Sequence, residues 1–216
     1  MHSHEHGAML HSPRLYDWGV RIITFGRERS FRRWTLDLAG LQAGNAVLDV
    51  GCGTGTLLLA AAERVGATGG LHGVEPSPEM AARARSKAAR RKVPLRIVEG
   101  SADRLPYADG SFDAVLCTMV LHHLPASRAA PAIREFRRVL RPGGRVVVVD
   151  WQRPRSLGKA LAAGLGVVYL LHSHGPGGSP LDEVGVGTLL AELGFGAVAR
   201  HEFGGGVLGA AAGRLP

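Results

Sequence analysis

Two patterns of apolar residues alternate along the middle of the chain. Short, nearly continuous apolar runs predict buried strands, and the segments between them, where apolar residues recur every three or four positions, predict helices. The runs occupy residues 46–50, 71–74, 95–98, 112–118 and 145–150. Strands that alternate with helices favour right-handed crossovers, so this pattern predicts an α/β fold with a doubly wound, mostly parallel sheet and helices on both faces.

The last third of the chain is less regular. Leu189, Leu190 and Leu193 indicate a final helix, and residues 195–203 and 207–212 would add two closing strands, making seven. Residues 157–171 are nearly all apolar but fall short of the ~20 residues that a bilayer span needs. Core packing is the favoured interpretation of this segment, while a lid over an apolar pocket and peripheral contact with a membrane stay open.

A glycine-rich turn joins the first strand to the first helix. Glycine at positions 51, 53 and 55 permits left-handed backbone angles and brings N–H groups close to a ligand. The spacing does not match the dinucleotide fingerprint, and no Gly-Lys-Ser/Thr ending follows, which excludes a P-loop. Asp49 at the mouth of the turn would repel a pyrophosphate but attract an ammonium group. The turn therefore predicts a site for a zwitterionic ligand.

A second carboxylate follows the second strand. Glu75 stands twenty residues after Gly55, at a position from which a carboxylate can accept both hydroxyls of an adenosine ribose. Ser77 is the predicted N-cap of the next helix, which runs to about residue 91. The basic residues of this helix predict a solvated face: Arg83, Arg85, Lys87, Arg90, Arg91 and Lys92.

Five blocks of the sequence resemble class I S-adenosylmethionine-dependent methyltransferases. They lie at residues 47–55, 73–80, 105–113, 121–124 and 138–144, in the order of that family, and cover roughly residues 44–150. The resemblance implies S-adenosyl-L-methionine as cofactor and the seven-stranded, Rossmann-like methyltransferase fold. It also implies a transferase that acts on a small, apolar acceptor.

The resemblance also implies which residues bind the cofactor. Asp49 would order the turn and take the ammonium group, Glu75 would hold the ribose, and Met80 would pack near the adenine. The other expected contacts are Gly51, Cys52, Gly53, Thr54 and Gly55 in the turn, with Pro76, Ser101, Ala102, Asp103 and Thr118. Most relatives carry Asp or Asn where Ser101 stands, so the adenine amine would be met by the Ser101 hydroxyl or by Asp103, with the Ala102 N–H contacting the ring edge.

Methyl transfer from a sulfonium mainly needs orientation, and a general base is required only where the nucleophile must lose a proton. His122 and His123 are candidate bases because histidine titrates near neutral pH, although a scaffold role is favoured for this pair. Tyr16 is a candidate pocket residue because residues 14–43 resemble the N-terminal helical cap of methyltransferases acting on ubiquinone and menaquinone precursors. Residues 119–124 lack the Pro-Pro-aromatic motif of enzymes that methylate nucleic-acid bases.

Composition adjusts the list of partners. The net charge of +8 raises the question of nucleic acid, but all except three of the 26 basic residues are arginine, which compositional bias on solvated helix faces explains. Nucleic acid is therefore not an expected partner. Two isolated cysteines and the lack of a signal-peptide pattern indicate a cytoplasmic protein. Residues 1–13, with His2, His4, His6 and His11, predict a mobile arm without a metal site.

The predicted organisation is an arm (1–13), an N-terminal helical cap (14–43) and a methyltransferase domain (44–216) in which 151–181 form a variable insert or lid. Three functional alternatives remain open beside methylation of a small molecule: a C-methyltransferase of a quinone precursor, an RNA methyltransferase and a non-catalytic module that binds the cofactor. The oligomeric state is left open.

Overall fold

The structure is a computed structural model that describes residues 27–151, 185–206 and 208–216. The helices are α1 (Glu28–Ala39), α2 (Thr56–Val65), α3 (Pro78–Arg91), α4 (Ala126–Val139) and α5 (Val186–Glu192). The strands are β1 (Ala46–Val50), β2 (Gly70–Glu75), β3 (Arg96–Glu99), β4 (Phe112–Thr118), β5 (Leu140–Trp151), β6 (Gly196–Phe203) and β7 (Leu208–Arg214). The predictions for the arm, for Tyr16 and for the apolar segment 157–171 lie outside the described residues.

The strands form one seven-stranded sheet in the order β3-β2-β1-β4-β5-β7-β6. The pairs among β1 to β5 are parallel, and β7 pairs antiparallel with both β5 and β6. The predicted doubly wound, mostly parallel sheet is therefore confirmed. Because β1 lies between β2 and β4, the chain reverses its direction of winding there, and ligands of such sheets bind at the carboxyl ends of the strands beside that point.

Helices cover both faces of the sheet because successive strand residues point to opposite sides. Residues of α1, α2 and α3 join one buried cluster, and residues of α4 and α5 join the other. The four valines of β5 show the alternation, since Val147 and Val149 belong to the first cluster and Val146 and Val148 to the second. Near-continuous apolar strands are what a sheet buried on both faces requires.

Some element boundaries differ from the predictions. Strand β3 begins at Arg96, one residue later than expected, and β5 begins at Leu140, five residues earlier. Leu140 pairs with Phe112 before the register shifts, so the Pro-Gly-Gly stretch after it lies within an irregular start of the strand. The glycines there still pair with the end of the chain, because Gly143 N–H donates to the Leu215 carbonyl and Leu215 N–H donates to the Gly144 carbonyl.

Two of the five sequence blocks bind each other at the amino ends of the parallel strands, which we call the amino edge of the sheet; the carboxyl ends form the carboxyl edge. The Arg138 guanidinium donates to the carbonyls of Leu105 and Tyr107 and to the carboxylates of Glu135 and Asp109, at 2.7–3.1 Å. Glu135 also accepts from the Leu105 N–H. These bonds fix the loop that precedes β4, so the blocks at 105–113 and 138–144 support the fold at some distance from the glycine-rich turn.

Candidate functional site

A pocket opens at the carboxyl ends of β1 and β4, where the topology predicts a ligand. Five of the residues expected to bind the cofactor line it: Asp49, Gly51, Cys52, Thr54 and Thr118. Five residues without a predicted role also line it: Phe31, Arg32, Thr56, Leu57 and Met119. The pocket therefore joins the glycine-rich turn to helix α1 and to the end of β4.

The glycine-rich turn has the backbone conformation that its sequence predicts. Gly51, Gly53 and Gly55 have φ of 69°, 54° and 73°, in the left-handed region that only glycine adopts without cost. A Cβ at Gly51 would also lie 2.3 Å from Cγ2 of Val120, so the position has no room for a side chain. The close approach places the turn directly against the loop that follows β4.

Asp49 is a buried carboxyl group whose hydrogen bonding is incomplete in the described part of the chain. Its side chain is 1% exposed, and its Oδ1 has no hydrogen-bond partner among the residues that the structure describes. Burial, reinforced by the nearby Glu75 carboxylate, raises the pKa of Asp49 to about 8, while the Arg32 guanidinium opposes that rise. A buried carboxylate oxygen without a partner is costly, and a cationic donor such as an ammonium group would satisfy it.

Glu75 is held at the end of β2 by backbone donors. Its Oε2 accepts from the Gly53 N–H at 2.8 Å and its Oε1 from the Ser77 N–H at 3.0 Å. Burial raises the pKa of Glu75, and these N–H groups oppose the rise. Because each carboxylate oxygen has two acceptor sites, both oxygens can still accept a ligand hydroxyl. The side chain is therefore oriented, but not saturated, beside the turn.

The remaining candidates lie outside the lining of this pocket. They are Gly53, Gly55, Glu75, Pro76, Met80, Ser101, Ala102 and Asp103. Met80 and Ala102 are buried, and Pro76 is exposed. The Ser101 hydroxyl donates to Asp103, whose carboxylate also pairs with Arg128 at 3.1 Å. Asp103 is thus already engaged by two partners, which leaves it fewer acceptor sites for an adenine amine.

Helix α1 contributes two residues that sequence reasoning did not place at the site. Phe31 is buried, and the Arg32 side chain, 15% exposed, forms an ion pair with Glu28. Arg32 also stands near enough to Asp49 to lower its pKa. The pocket thus holds a carboxylate and a guanidinium, the complement of a zwitterion. The resemblance of residues 14–43 to a helical cap pointed to this segment, and the spacing of Glu28 and Arg32, one helical turn apart, was a further signal.

Lys87 belongs to the site as well, so its prediction as part of a solvated face is wrong. Its side chain is half-buried, and its ammonium group donates to Thr54 Oγ1 at 2.7 Å and Thr56 Oγ1 at 3.0 Å. The two threonine hydroxyls lie 3.2 Å apart. Because α3 packs beside the start of α2, the lysine stem crosses the helix surface and its charge reaches the turn.

The structure separates the two histidines that the sequence could not distinguish. His122 Nδ1 lies 2.6 Å from Asp150 Oδ1, and the His122 N–H donates to Asp150 Oδ2 at 3.1 Å. His123 is exposed and its ring centroid lies 3.8 Å from that of His122. Asp150, 1% exposed at the end of β5, was not among the candidates. Its signal is an acidic residue that directly follows four buried valines.

An arginine-lined groove of about 540 Å³ adjoins the pocket and shares Arg32 and Thr56 with it. Arg29, Arg33, Arg64 and Arg91 line it together with Glu28 and Glu63. Within the described ranges, no group of three metal-ligating side chains occurs. No helix in the same ranges has the length and hydrophobicity needed to cross a bilayer.

Comparisons with known proteins agree with this geometry. Residues 47–144 match the family described as "Methyltransferase domain". The demethylmenaquinone methyltransferase of Oceanobacillus iheyensis is 36% identical over 144 residues, which are 66% of this chain and 60% of that protein. The ubiquinone/menaquinone biosynthesis C-methyltransferase UbiE of Azotobacter vinelandii is 33% identical over 68% of this chain and 59% of that protein. The chain thus spans about 60% of the length of the curated relatives it matches.

A solved structure supports the fold over nearly the whole chain. The S-adenosylmethionine-dependent methyltransferase of Aquifex aeolicus aligns with a TM-score of 0.70 and 21% identity, covering 95% of this chain and 99% of that one. Sheet order, glycine-rich turn, sequence family and fold all point in one direction. Residues 47–144 belong to the methyltransferase domain family, and the chain has the fold of the class I S-adenosylmethionine-dependent methyltransferases.

Proposed function

We propose that the protein transfers the methyl group of S-adenosylmethionine to a small, apolar acceptor, and that the acceptor is a quinol of the kind implied by its relatives. The observation that carries the proposal is the buried Oδ1 of Asp49, which has no hydrogen-bond partner among the described residues and lies at the mouth of a turn of left-handed glycines. Such a niche favours a ligand with an ammonium group and disfavours a pyrophosphate.

The residues present fit the cofactor. Asp49 would accept from its ammonium group, and the Arg32 guanidinium in the same pocket would pair with its carboxylate. Glu75 would hold the ribose hydroxyls through the free acceptor sites of its two oxygens. Pro76 and Met80 would flank the nucleoside, with Ser101, Ala102 and Asp103 at the adenine edge.

When bound, the cofactor supplies a methyl group on a positively charged sulfur, which is already a good leaving group. The contribution of the protein is therefore mainly orientation of the two reactants. Phe31, Leu57 and Met119 give the pocket apolar walls beside the end of β4. These walls suit an acceptor with an aromatic ring and limit the access of water.

The acceptor class is supported by the printed functions of the relatives, which methylate demethylmenaquinone or act in ubiquinone and menaquinone biosynthesis. An assay with methyl-labelled S-adenosylmethionine and demethylmenaquinol in detergent tests it directly. We expect labelled product from the parent protein. Tight cofactor binding without any labelled quinone would contradict the acceptor, and the absence of measurable cofactor binding would contradict the proposed function as a whole.

A further inference from the structure

The short turn Leu121–His123 is fastened to the end of β5. The Met119 N–H donates to the Val149 carbonyl at 2.8 Å, and the backbone and ring of His122 both bond to Asp150. Met119 has φ of 59°, a left-handed conformation that costs a non-glycine residue free energy. The bonds to β5 hold this conformation, and the resulting geometry fixes where the His122 ring lies.

The contact with Asp150 determines which ring nitrogen of His122 carries the proton. Asp150 also accepts from the Trp151 N–H at 2.8 Å, so both of its oxygens act as acceptors towards backbone N–H groups. His122 Nδ1 must then be the donor of the 2.6 Å bond, which leaves the lone pair on Nε2. No partner of Nε2 is found within the described ranges, and the side chain is 18% exposed. Nε2 therefore carries a lone pair that can accept a proton.

The histidine also lies beside the cofactor pocket. Thr118 and Met119, which line that pocket, precede it by four and three residues, and Val120 packs directly against Gly51 of the glycine-rich turn. The titratable groups beside the ring are Asp150 from β5 and the neighbouring His123, and the buried Cys117 thiol at the end of β4 lies near Asp150. Asp150 is the only one of these described groups that bonds to the ring.

We propose that His122, oriented by Asp150, is the general base that removes a proton from the methyl acceptor, and that the acceptor is accordingly a phenol. This inference rests on the methyl transfer proposed above. An amine attacks as its neutral form and needs no base at that moment. A phenol, with a pKa near 10 as in tyrosine, gains greatly in nucleophilicity when a neighbouring histidine takes its proton.

The electron and proton balance of the step is simple. The O–H bond of the acceptor breaks, its proton bonds to His122 Nε2, and the electron pair stays on the oxygen and its ring. That pair forms the new bond to the methyl carbon while the bond between sulfur and methyl breaks and returns its electrons to sulfur. Attack through oxygen gives a methyl ether. Attack through a ring carbon gives a C-methyl product after that carbon loses its hydrogen as a proton.

His122→Asn tests the role, because the Asn amide can donate to Asp150 from the position of Nδ1 but has no counterpart of Nε2. His123→Asn is the matched control. Each protein is assayed at saturating cofactor with two sets of phenolic acceptors. The first set, demethylmenaquinol and 1,4-dihydroxynaphthalene, is protonated at neutral pH. The second is 4-nitrocatechol, a more acidic phenol that is largely ionised slightly above neutral pH. Histamine serves as the amine acceptor.

With the protonated phenols we expect kcat/KM of His122→Asn to fall about 100-fold or more, and its pH profile to lose the plateau that a titrating base produces. With 4-nitrocatechol at a pH where it is ionised, we expect the loss to shrink to within about threefold, because no proton remains to be removed. His123→Asn should keep the parent rates throughout. An equal loss with both kinds of phenol would mean that His122 only anchors the turn, and would overturn the proposal.

Two further readouts separate this proposal from the one on which it rests. Calorimetry should show the same affinity of parent and His122→Asn for S-adenosylmethionine, and long-range proton–nitrogen NMR should show His122 as the tautomer protonated on Nδ1. Normal cofactor binding with methylation of histamine alone, or of no acceptor, overturns the base and its phenol while leaving the cofactor site intact. Absent cofactor binding by the parent overturns the proposed function itself.

Discussion

At the amino edge of the sheet, the carboxylates of Asp109, Asp113 and Glu135 each bond to an arginine. The Arg138 side chain, bonded to Glu135, holds the pKa of that carboxyl below its usual value. At the carboxyl edge, Asp49 is nearly inaccessible and has an oxygen without a partner in the described structure, and burial raises its pKa to about 8. Carboxyl groups are thus paired with arginines at the amino edge, whereas the Asp49 carboxyl at the carboxyl edge keeps an oxygen that no described residue satisfies.

The difference separates carboxylates that stabilise the fold from one that is buried with an oxygen left unsatisfied by the described residues. Buried polar atoms in folded proteins are nearly always hydrogen-bonded, so an orphaned one needs an explanation. A ligand-binding group is the natural one here, because the orphan lies in a pocket at the switch point of the sheet. The following predictions test this division between the two edges.

The largest expected effect is on cofactor binding by Asp49→Asn. Removing one partner of a buried charged pair costs about 2–5 kcal/mol, so the affinity for S-adenosylmethionine should fall about 30-fold to several thousand-fold in calorimetry. The matched control is Asp113→Asn, whose carboxylate accepts from the Ala46 N–H and from Arg141 at the other edge. Equal affinity losses in the two variants would break the comparison.

Arg138→Met should lower the stability of the protein and leave its cofactor affinity nearly unchanged. The guanidinium bonds to two carboxylates and two carbonyls, and a hydrogen bond to a charged group is worth about 1.5–3 kcal/mol. We expect the free energy of unfolding in urea to fall by about 2 kcal/mol. Cofactor affinity, measured well below the unfolding transition, should stay within twofold of the parent. A large affinity loss would link the amino edge to the ligand.

The raised pKa of Asp49 predicts a pH dependence of binding. The ligand-free protein holds a proton on Asp49 below about pH 8, and an ammonium ligand requires that proton to leave. Affinity should therefore fall about tenfold between pH 7 and pH 6, with one proton released per cofactor bound, as calorimetry in buffers of different ionisation enthalpy can measure. Asp49→Asn should release no such proton.

The raised pKa of Asp49 also predicts how the stability of the ligand-free protein depends on pH. Because the pKa of Asp49 is higher in the folded state than its ordinary value of 3.8, the folded state binds more protons between about pH 4 and pH 8. The contribution of Asp49 to stability is fully present below pH 4 and is lost as the pH rises through 8. Asp49→Asn should thus lose less stability than the parent between pH 6 and pH 9, as urea unfolding at each pH would show.

The smallest effect is expected from Ser77→Ala, at the carboxyl edge. The Ser77 hydroxyl caps α3 by accepting from the Met80 N–H at 3.3 Å, while its backbone N–H holds Glu75. Loss of such a cap costs about 1 kcal/mol of stability. Because the backbone donor remains, cofactor affinity should be unchanged. A thermal melt together with calorimetry checks both halves, and a parallel loss of affinity would place the cap itself at the ligand.

Much of the fold could be predicted from the sequence because it is encoded locally. The apolar run at 112–118 and the glycines at 51, 53 and 55 have few other physical interpretations, and both appear as predicted. The start of β5 could not be predicted. Its first residue pairs across the sheet before a change of register, whereas the Pro-Gly-Gly that follows it reads as a turn.

Residues of the candidate site could be predicted where their position along a strand alone places them at the pocket. Asp49 and Thr118 stand at the ends of strands and line the pocket. Arg32 was not predictable, since Arg29 and Arg33 share its helix and only packing against the sheet selects the one that faces Asp49. The partner of His122 is 28 residues away, and the register of β4 against β5 brings the two together.

The missing side chain at Gly51 has a mechanical consequence. Val120 fills the space that a Cβ would take, so the glycine-rich turn and the loop that carries His122 touch without a gap. Neither loop can shift without pushing the other. Redesign of this protein for a larger acceptor would therefore have to move both loops as one body, and a variant selected for a wider acceptor cavity should show weaker grip on its methyl donor.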